Sequence, residues 1–242
     1  MNISIELVPR SEAQLSAELA TIKRNFRSVN AINIPDLTRL EMRSWDGCAV
    51  ARSEFTTTIP HLRACDTHPD KPLPMVETLV EHDITEVLVV TGDYDVENPP
   101  RATSIDLIKR LRAELPYLKI YAALDPYREN LQTEQDYFEA KLEAGADGFF
   151  TQPFFDLRLL GIYADMLRGV PVYWGVAPVI SAKSMRYWRT RNRAVFPREF
   201  EPTLEWNRNF ACRALSFIRE RNGHVYFMPI RVDLEKYLCG IL

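Results

Sequence analysis

An acid inside an apolar run is the first residue of this chain that could do chemistry. In ISIELV, residues 3 to 8, Glu6 is flanked by isoleucine and leucine, and a carboxylate buried without a partner costs several kcal/mol. Glu6 therefore either pairs with an arginine for structural reasons or is kept protonated and serves as an acid. Polar residues close other apolar runs in the same way. These are Asn33 in AINI and Asp36 just after it, His61 in TTIPHL, Thr91, Gly92 and Asp93 in EVLVVTGD, Asp125 after KIYAAL, and Arg231 after HVYFMP. In AGADGFFTQPFFD, Ala144 to Asp156, Thr151 and Gln152 follow two phenylalanines where a strand that only had to pack would continue with Val, Ile or Leu. Each has a plainer reading. His61 after Pro60, taken alone, is a hydrogen-bonded structural histidine, and Thr91-Gly92-Asp93 is a turn with a helix cap.

The elements that must position these residues alternate. Eight short apolar or β-branched runs begin at residues 3, 31, 57, 86, 119, 148, 171 and 224. Helical spacing fills most of the intervals, at Ser11 to Arg24, Pro72 to His82, Thr103 to Glu114, Thr133 to Ala144, Asp156 to Arg168 and Ser181 to Thr190, and again at Leu204 to Arg221 and Val232 to Leu242. Strand then helix, eight times over, predicts an α/β fold, a (β/α)8 TIM barrel filling residues 1–242 as one domain. The second repeat is the weak one, because Asp36 to Glu54 lacks a clean helical period. A doubly wound open sheet would not need eight strands, and no GxGxxG follows any of them. In a barrel the C-terminal strand ends converge on one mouth, which gathers the polar residues above into a single census.

Composition narrows the partners. The formal charge of -3 is nearly balanced and no long basic run occurs, so nucleic acid is not expected. Four cysteines, Cys48, Cys65, Cys212 and Cys239, form no CxxC pair; neither a disulfide framework nor a metal site is expected, and reduced thiols in the cytosol are. MNISIELVPR has no basic leader with an apolar run, and no apolar stretch of about 18 residues occurs, so the expected location is cytoplasmic, away from membranes.

In order along the chain, SIELVPR, TIPHL, VVTGD, AGADGFFTQPFFD, GVAPVIS and GHVYFMPIR resemble the methylenetetrahydrofolate reductase family, flavin-dependent barrels of one-carbon metabolism. The Thr-Gln-x-Phe-Phe-Asp segment is the most specific match. The resemblance implies reduction of 5,10-methylenetetrahydrofolate to 5-methyltetrahydrofolate, with FAD passing hydride from NADH or NADPH, in the service of methionine biosynthesis. It implies Glu6 and Asp93 as catalytic residues, the first protonating the folate N10 and the second tuning flavin and pterin. Asn33, His61, Thr91, Gly92, Asp93, Ser104, Asp125, Lys141 and Thr151 are implied around the cofactor. Gln152 is implied on the pterin, Trp188 as an aromatic platform and Arg231 on the glutamate tail. Lys141, seven residues after Glu134, keeps an acid and lysine spacing of the family and could meet a flavin phosphate; on a helix surface it reads equally as a solvated charge.

The departures are specific. Thr91 stands where many members have arginine, Ile32-Asn33 replaces Thr-Tyr or Thr-Trp, and LDPYREN lacks the usual tyrosine and histidine pair. A second hypothesis follows: a barrel that binds folate with weak flavin or none, acting as an accessory protein in one-carbon or corrinoid methyl transfer. An aldolase or a sugar-phosphate isomerase fits poorly, since no strand ends in a Schiff-base lysine and no glycine-rich phosphate loop follows the seventh or eighth strand. The sequence leaves open NADH versus NADPH, and a homo-oligomer versus a partner chain. For Tyr187 to Phe200 the default reading is solvated surface with Trp188 and Phe196 turned inward.

Overall fold

Strand side chains alternate between two faces, and in this chain both faces are apolar in their middle, which only a sheet covered on both sides can satisfy. The computed structural model describes residues 1–93 and 99–242. Its strands are β1 Ile3–Glu6, β2 Ala31–Ile34, β3 Thr57–Arg63, β4 Glu86–Val90, β5 Lys119–Leu124, β6 Gly148–Pro153, β7 Val172–Val176 and β8 His224–Phe227. Each pairs in parallel with the next, and β8 pairs with β1, so the sheet closes into an eight-stranded barrel. The helices are α1 Glu12–Asn25, α2 Ser44–Ala51, α3 Val76–Glu81, α4 Ser104–Glu114, α5 Leu131–Glu143, α6 Leu157–Met166, α7 Ala182–Arg191, α8 Leu204–Glu220 and α9 Leu234–Leu238. The (β/α)8 barrel predicted from alternation is the observed fold.

Two cores follow from the strand period. Outward residues such as Ile3, Ile5, Ile32, Val87, Val89, Phe149 and Val225 pack against the helices. Inward residues Ala31, Ile59, Leu88, Tyr121, Phe150, Tyr173 and Tyr226 fill the barrel itself. Phe150 stacks on Tyr173 at 4.1 Å, and Tyr226 meets Phe150 edge-on at 5.1 Å. This aromatic layer is the floor on which the mouth stands. Below it, Asn2 donates to the Tyr173 hydroxyl at 3.0 Å and Lys119 lies 3.8 Å from Glu86, closing the opposite end.

The weak second repeat has a helix after all. Within α2, SWDGCAVA, the residues Ser44, Trp45, Gly47, Cys48 and Ala51 are buried, because α2 packs on β2 and β3 and also on α1 and α3. A helix enclosed on several sides carries no amphipathic stripe, which is why the period was missing. At the other end, the segment expected to be helical over Val232 to Leu242 forms only the short α9.

Candidate functional site

The mouth is built from the inward positions nearest the C-terminal strand ends. Parity places Ser4 and Glu6 on β1, Asn33 on β2, His61 and Arg63 on β3, Gln152 on β6 and Tyr226 on β8 toward the interior. Three of the residues expected from sequence meet here directly. The register pairs Glu6 with Asn33, and the Asn33 amide nitrogen lies 3.3 Å from His61 Nε2. Ser4 Oγ donates to Asn33 Oδ1. Tyr226 donates its phenol to Glu6 Oε2.

Electrostatics divide this group in a useful way. Burial pushes the Glu6 carboxyl up to about 7, against which the Tyr226 hydrogen bond acts more weakly. The carboxyl thus holds a proton close to neutral pH. Burial drives His61 down to about 3, so its imidazole is neutral and can only exchange hydrogen bonds. The inward-facing cluster around Glu6 therefore presents one exchangeable proton and no fixed charge.

Around it the β2–β4 rim is charged but self-neutralised. Asp36, expected in the mouth, is buried and gripped at both oxygens by Arg43. Arg63 Nε donates to Asp66 at 2.8 Å and Arg63 Nη2 to the Asp93 carbonyl at 2.9 Å. Thr91 offers its carbonyl to the Cys65 amide at 3.0 Å. Gly92 turns the chain with φ +85°, and a Cβ there would sit 2.4 Å from Cys65 Sγ, so no side chain fits. Asp93 itself is exposed at the rim.

Across the mouth the polar residues have their atoms spent inside the wall. Thr151 is buried, and its hydroxyl accepts the Gly175 amide at 2.8 Å. That bond bridges the irregular register between β6 and β7. Gln152, one residue on, is exposed. Ser104 is buried with its hydroxyl 2.8 Å from Tyr137 Oη. Lys141 is a buried amine: Nζ donates to the Ala123 carbonyl at 2.6 Å, lies 3.9 Å over the Tyr137 ring, and is brought down to about 7, mainly by burial. The solvated charge offered as its plainer reading is corrected here. Arg128 is paired with buried Glu134 at 2.7 Å. Asp125 caps the Tyr127 amide at 3.0 Å, its carboxyl raised by burial.

The remaining expected residues lie apart from the cluster around Glu6. Trp188 is buried against Phe155, ring centroids 5.7 Å apart, in a cluster with Phe196, in agreement with its inward reading. Arg231 is exposed on the turn after β8 with φ 57°, and it makes no ion pair among the described residues. Sequence reasoning missed Tyr226 and Ser4. Period-two counting along HVYF could have found the first, since it faces the same interior as Glu6.

The family model for methylenetetrahydrofolate reductase matches residues 4–210. The chain belongs to the methylenetetrahydrofolate reductase family. Among solved structures, an uncharacterized protein from Clostridium thermocellum that binds two copies of 5-methyl-5,6,7,8-tetrahydrofolic acid is similar with a TM-score of 0.67, at 14% identity over 99% of this chain and 92% of that one. A 2,3-dimethylmalate lyase of the PEP mutase/isocitrate lyase superfamily is similar at 0.60, with 12% identity over 96% and 75%. Oxaloacetate acetylhydrolase bound to 3,3-difluorooxalacetate is similar at 0.61, with 9% identity over 94% and 74%. At these identities the likeness is one of fold. The search of curated proteins finds no match.

Members of this family generally use FAD, so the residues can be tested against a flavin dinucleotide. A diphosphate needs a free cation or an open helix N-terminus. Among the described residues, Lys141 and Arg128 are committed as above. The N-termini of α4 and α5 are closed by their own side chains, α4 by a capping box with Asp106 and α5 by Asn130. On the β5–β6 side these groups offer a diphosphate no open anchor, so this side of the mouth does not fit a tightly held flavin. The described residues hold no cluster of three metal-ligating side chains, and no described helix is long and apolar enough to cross a membrane.

Proposed function

We propose that this protein reduces 5,10-methylenetetrahydrofolate to 5-methyltetrahydrofolate, taking hydride from a dissociable nicotinamide dinucleotide. The observation that carries the reading is Glu6, a carboxyl that keeps its proton to about pH 7 at the floor of the mouth. When the one-carbon bridge opens, the bond between N10 and the bridging carbon breaks. Glu6 gives its proton to N10, and the carbon is left as an iminium on N5. Hydride from the reduced nicotinamide then converts that carbon to a methyl group, and the oxidised nicotinamide leaves. Water restores the proton to Glu6, so one reduced nicotinamide and one proton are consumed.

This chain's own residues would orient the folate. Gln152, exposed at the end of β6, carries both a donor and an acceptor for a pterin edge, and neutral His61 and Asn33 extend the same polar floor. Arg231, which makes no ion pair among the described residues, carries the guanidinium expected to meet the glutamate carboxylates. A nicotinamide donor used as a co-substrate works at a KM of about 1 μM to 1 mM and needs less anchoring than a resident cofactor. A second reading, a folate-binding barrel that serves a partner chain, is favoured by the committed polar groups near β5 and β6. The cytoplasmic location expected from sequence would hold either protein.

The test is a visible spectrum of the purified protein with and without added FAD, followed by anaerobic NADH or NADPH and methylenetetrahydrofolate. The expected result is a colourless protein that oxidises nicotinamide only when the folate is present. Retained flavin that bleaches with nicotinamide would restore the flavin route. Binding of 5-methyltetrahydrofolate without any turnover would select the accessory reading.

A further inference from the structure

Glu6 has few neighbours able to control its proton. The groups that face it are Ser4 on its own strand, Asn33 on β2, neutral His61 on β3 and Tyr226 on β8, and no lysine, arginine or second carboxylate pairs with it among the described residues. Tyr226 stands opposite Ser4 in the β1–β8 register, so its phenol reaches one inward step toward the mouth to meet Glu6. The ring is pinned while it does so. It packs edge-on against Phe150 at 5.1 Å and against His61 at 6.4 Å. Glu6 Oε2 takes the phenol hydrogen, whereas Oε1 accepts no hydrogen bond among the described residues, and the residue as a whole is only partly buried.

We propose that Tyr226 is a positioning residue for proton transfer, holding Glu6 Oε2 so that the proton is carried on Oε1 at the floor of the mouth. The inference rests on the reading of Glu6 as the acid. In the step, Oε1–H breaks and N10–H forms, and the carboxylate left behind keeps the Tyr226 hydrogen bond, which is stronger to an anion than to a neutral acid. Tyr226 remains the donor throughout. Burial, and then the nearness of Glu6, push its own ionisation well above the usual phenol range. It therefore supports the charge that proton transfer creates without supplying the proton.

The sign of the effect is fixed by this arrangement. The phenol favours the ionised carboxyl, so its removal must raise the pH at which Glu6 loses its proton. Tyr226→Phe keeps the ring and its packing and removes only the hydroxyl. The protonated Glu6 carbonyl stretch would be followed by infrared difference spectroscopy against pH, with Glu6→Gln identifying the band. The expected result is a midpoint near pH 7 in the natural protein, moved up by about one pH unit in Tyr226→Phe, with kcat lowered about tenfold and the alkaline limb of its pH profile displaced in the same direction. An unchanged midpoint in a folded Tyr226→Phe protein would overturn the proposal. The infrared measurement requires no turnover, so it decides the role of Tyr226 even where the assay shows no reductase. Failure of the functional reading would appear separately, as a natural protein with a titrating Glu6 and no nicotinamide oxidation.

Discussion

The two sides of the barrel mouth handle polar groups in opposite ways. On the β8–β1–β2–β3 side, the hydrogen-bonded pairs Glu6–Tyr226 and Asn33–His61 lie side by side, with an exchangeable proton and a carboxyl oxygen that accepts no hydrogen bond among the described residues. Toward β5 and β6, Ser104, Lys141 and Thr151 are just as polar but already satisfied, by Tyr137, by the Ala123 carbonyl and by the Gly175 amide. A polar residue at a strand end is thus no sign of a site by itself. What matters is whether its hydrogen-bonding capacity is spent within the wall or kept for a ligand.

Four substitutions would break or sharpen that contrast. Glu6→Gln should lower folate reduction by on the order of 100-fold or more while 5-methyltetrahydrofolate still binds; steady-state kinetics beside calorimetry separates the two, and equal loss of binding and turnover would make Glu6 structural. Thr151→Val should act on stability instead. It orphans the buried Gly175 amide at a cost of about 1–3 kcal/mol, read in denaturant melts, with folate affinity unchanged in the protein that remains folded. Gln152→Ala should leave the melt alone and weaken folate about fivefold to tenfold, the worth of a neutral hydrogen bond. A loss of stability there would place the Gln152 amide in the wall with Thr151.

Lys141→Met is the smallest expected change and the most pointed. The amine titrates at about 7 in the folded protein against 10.5 in its ordinary state. Between those values the unfolded chain holds a proton that the folded one lacks, so Lys141 costs stability that is regained as pH rises from about 7 toward 10.5. Methionine should therefore match or exceed the natural stability at and below neutral pH, within about 1 kcal/mol, and lose that advantage toward pH 10. Turnover should be unaffected. A marked loss of activity would show that this side of the mouth takes part after all.

Much of this was legible beforehand, for reasons that differ from residue to residue. The alternation of strand and helix sufficed for the barrel, because each apolar run had to be buried on both faces. Glu6 stood out because an acid between aliphatic residues is costly without a purpose. Thr151 was harder. Sequence placed it beside Gln152, but a strand turns successive side chains to opposite faces, so only one of the pair can look into the mouth. Lys141 was misleading for a related reason: α5 runs close enough to β5 for the amine to reach a strand carbonyl and be swallowed.

The amino-acid order determined the eight-stranded barrel, which strand ends carry polar groups, and the family motifs that include Glu6 and Gln152, since these follow from local periodicity and short contiguous patterns. Only the tertiary structure decided which of those groups are free. Tyr226 is 220 residues from Glu6 in the chain, and they meet because β8 closes on β1, a contact set by the parallel register of the closed sheet rather than by any local signal.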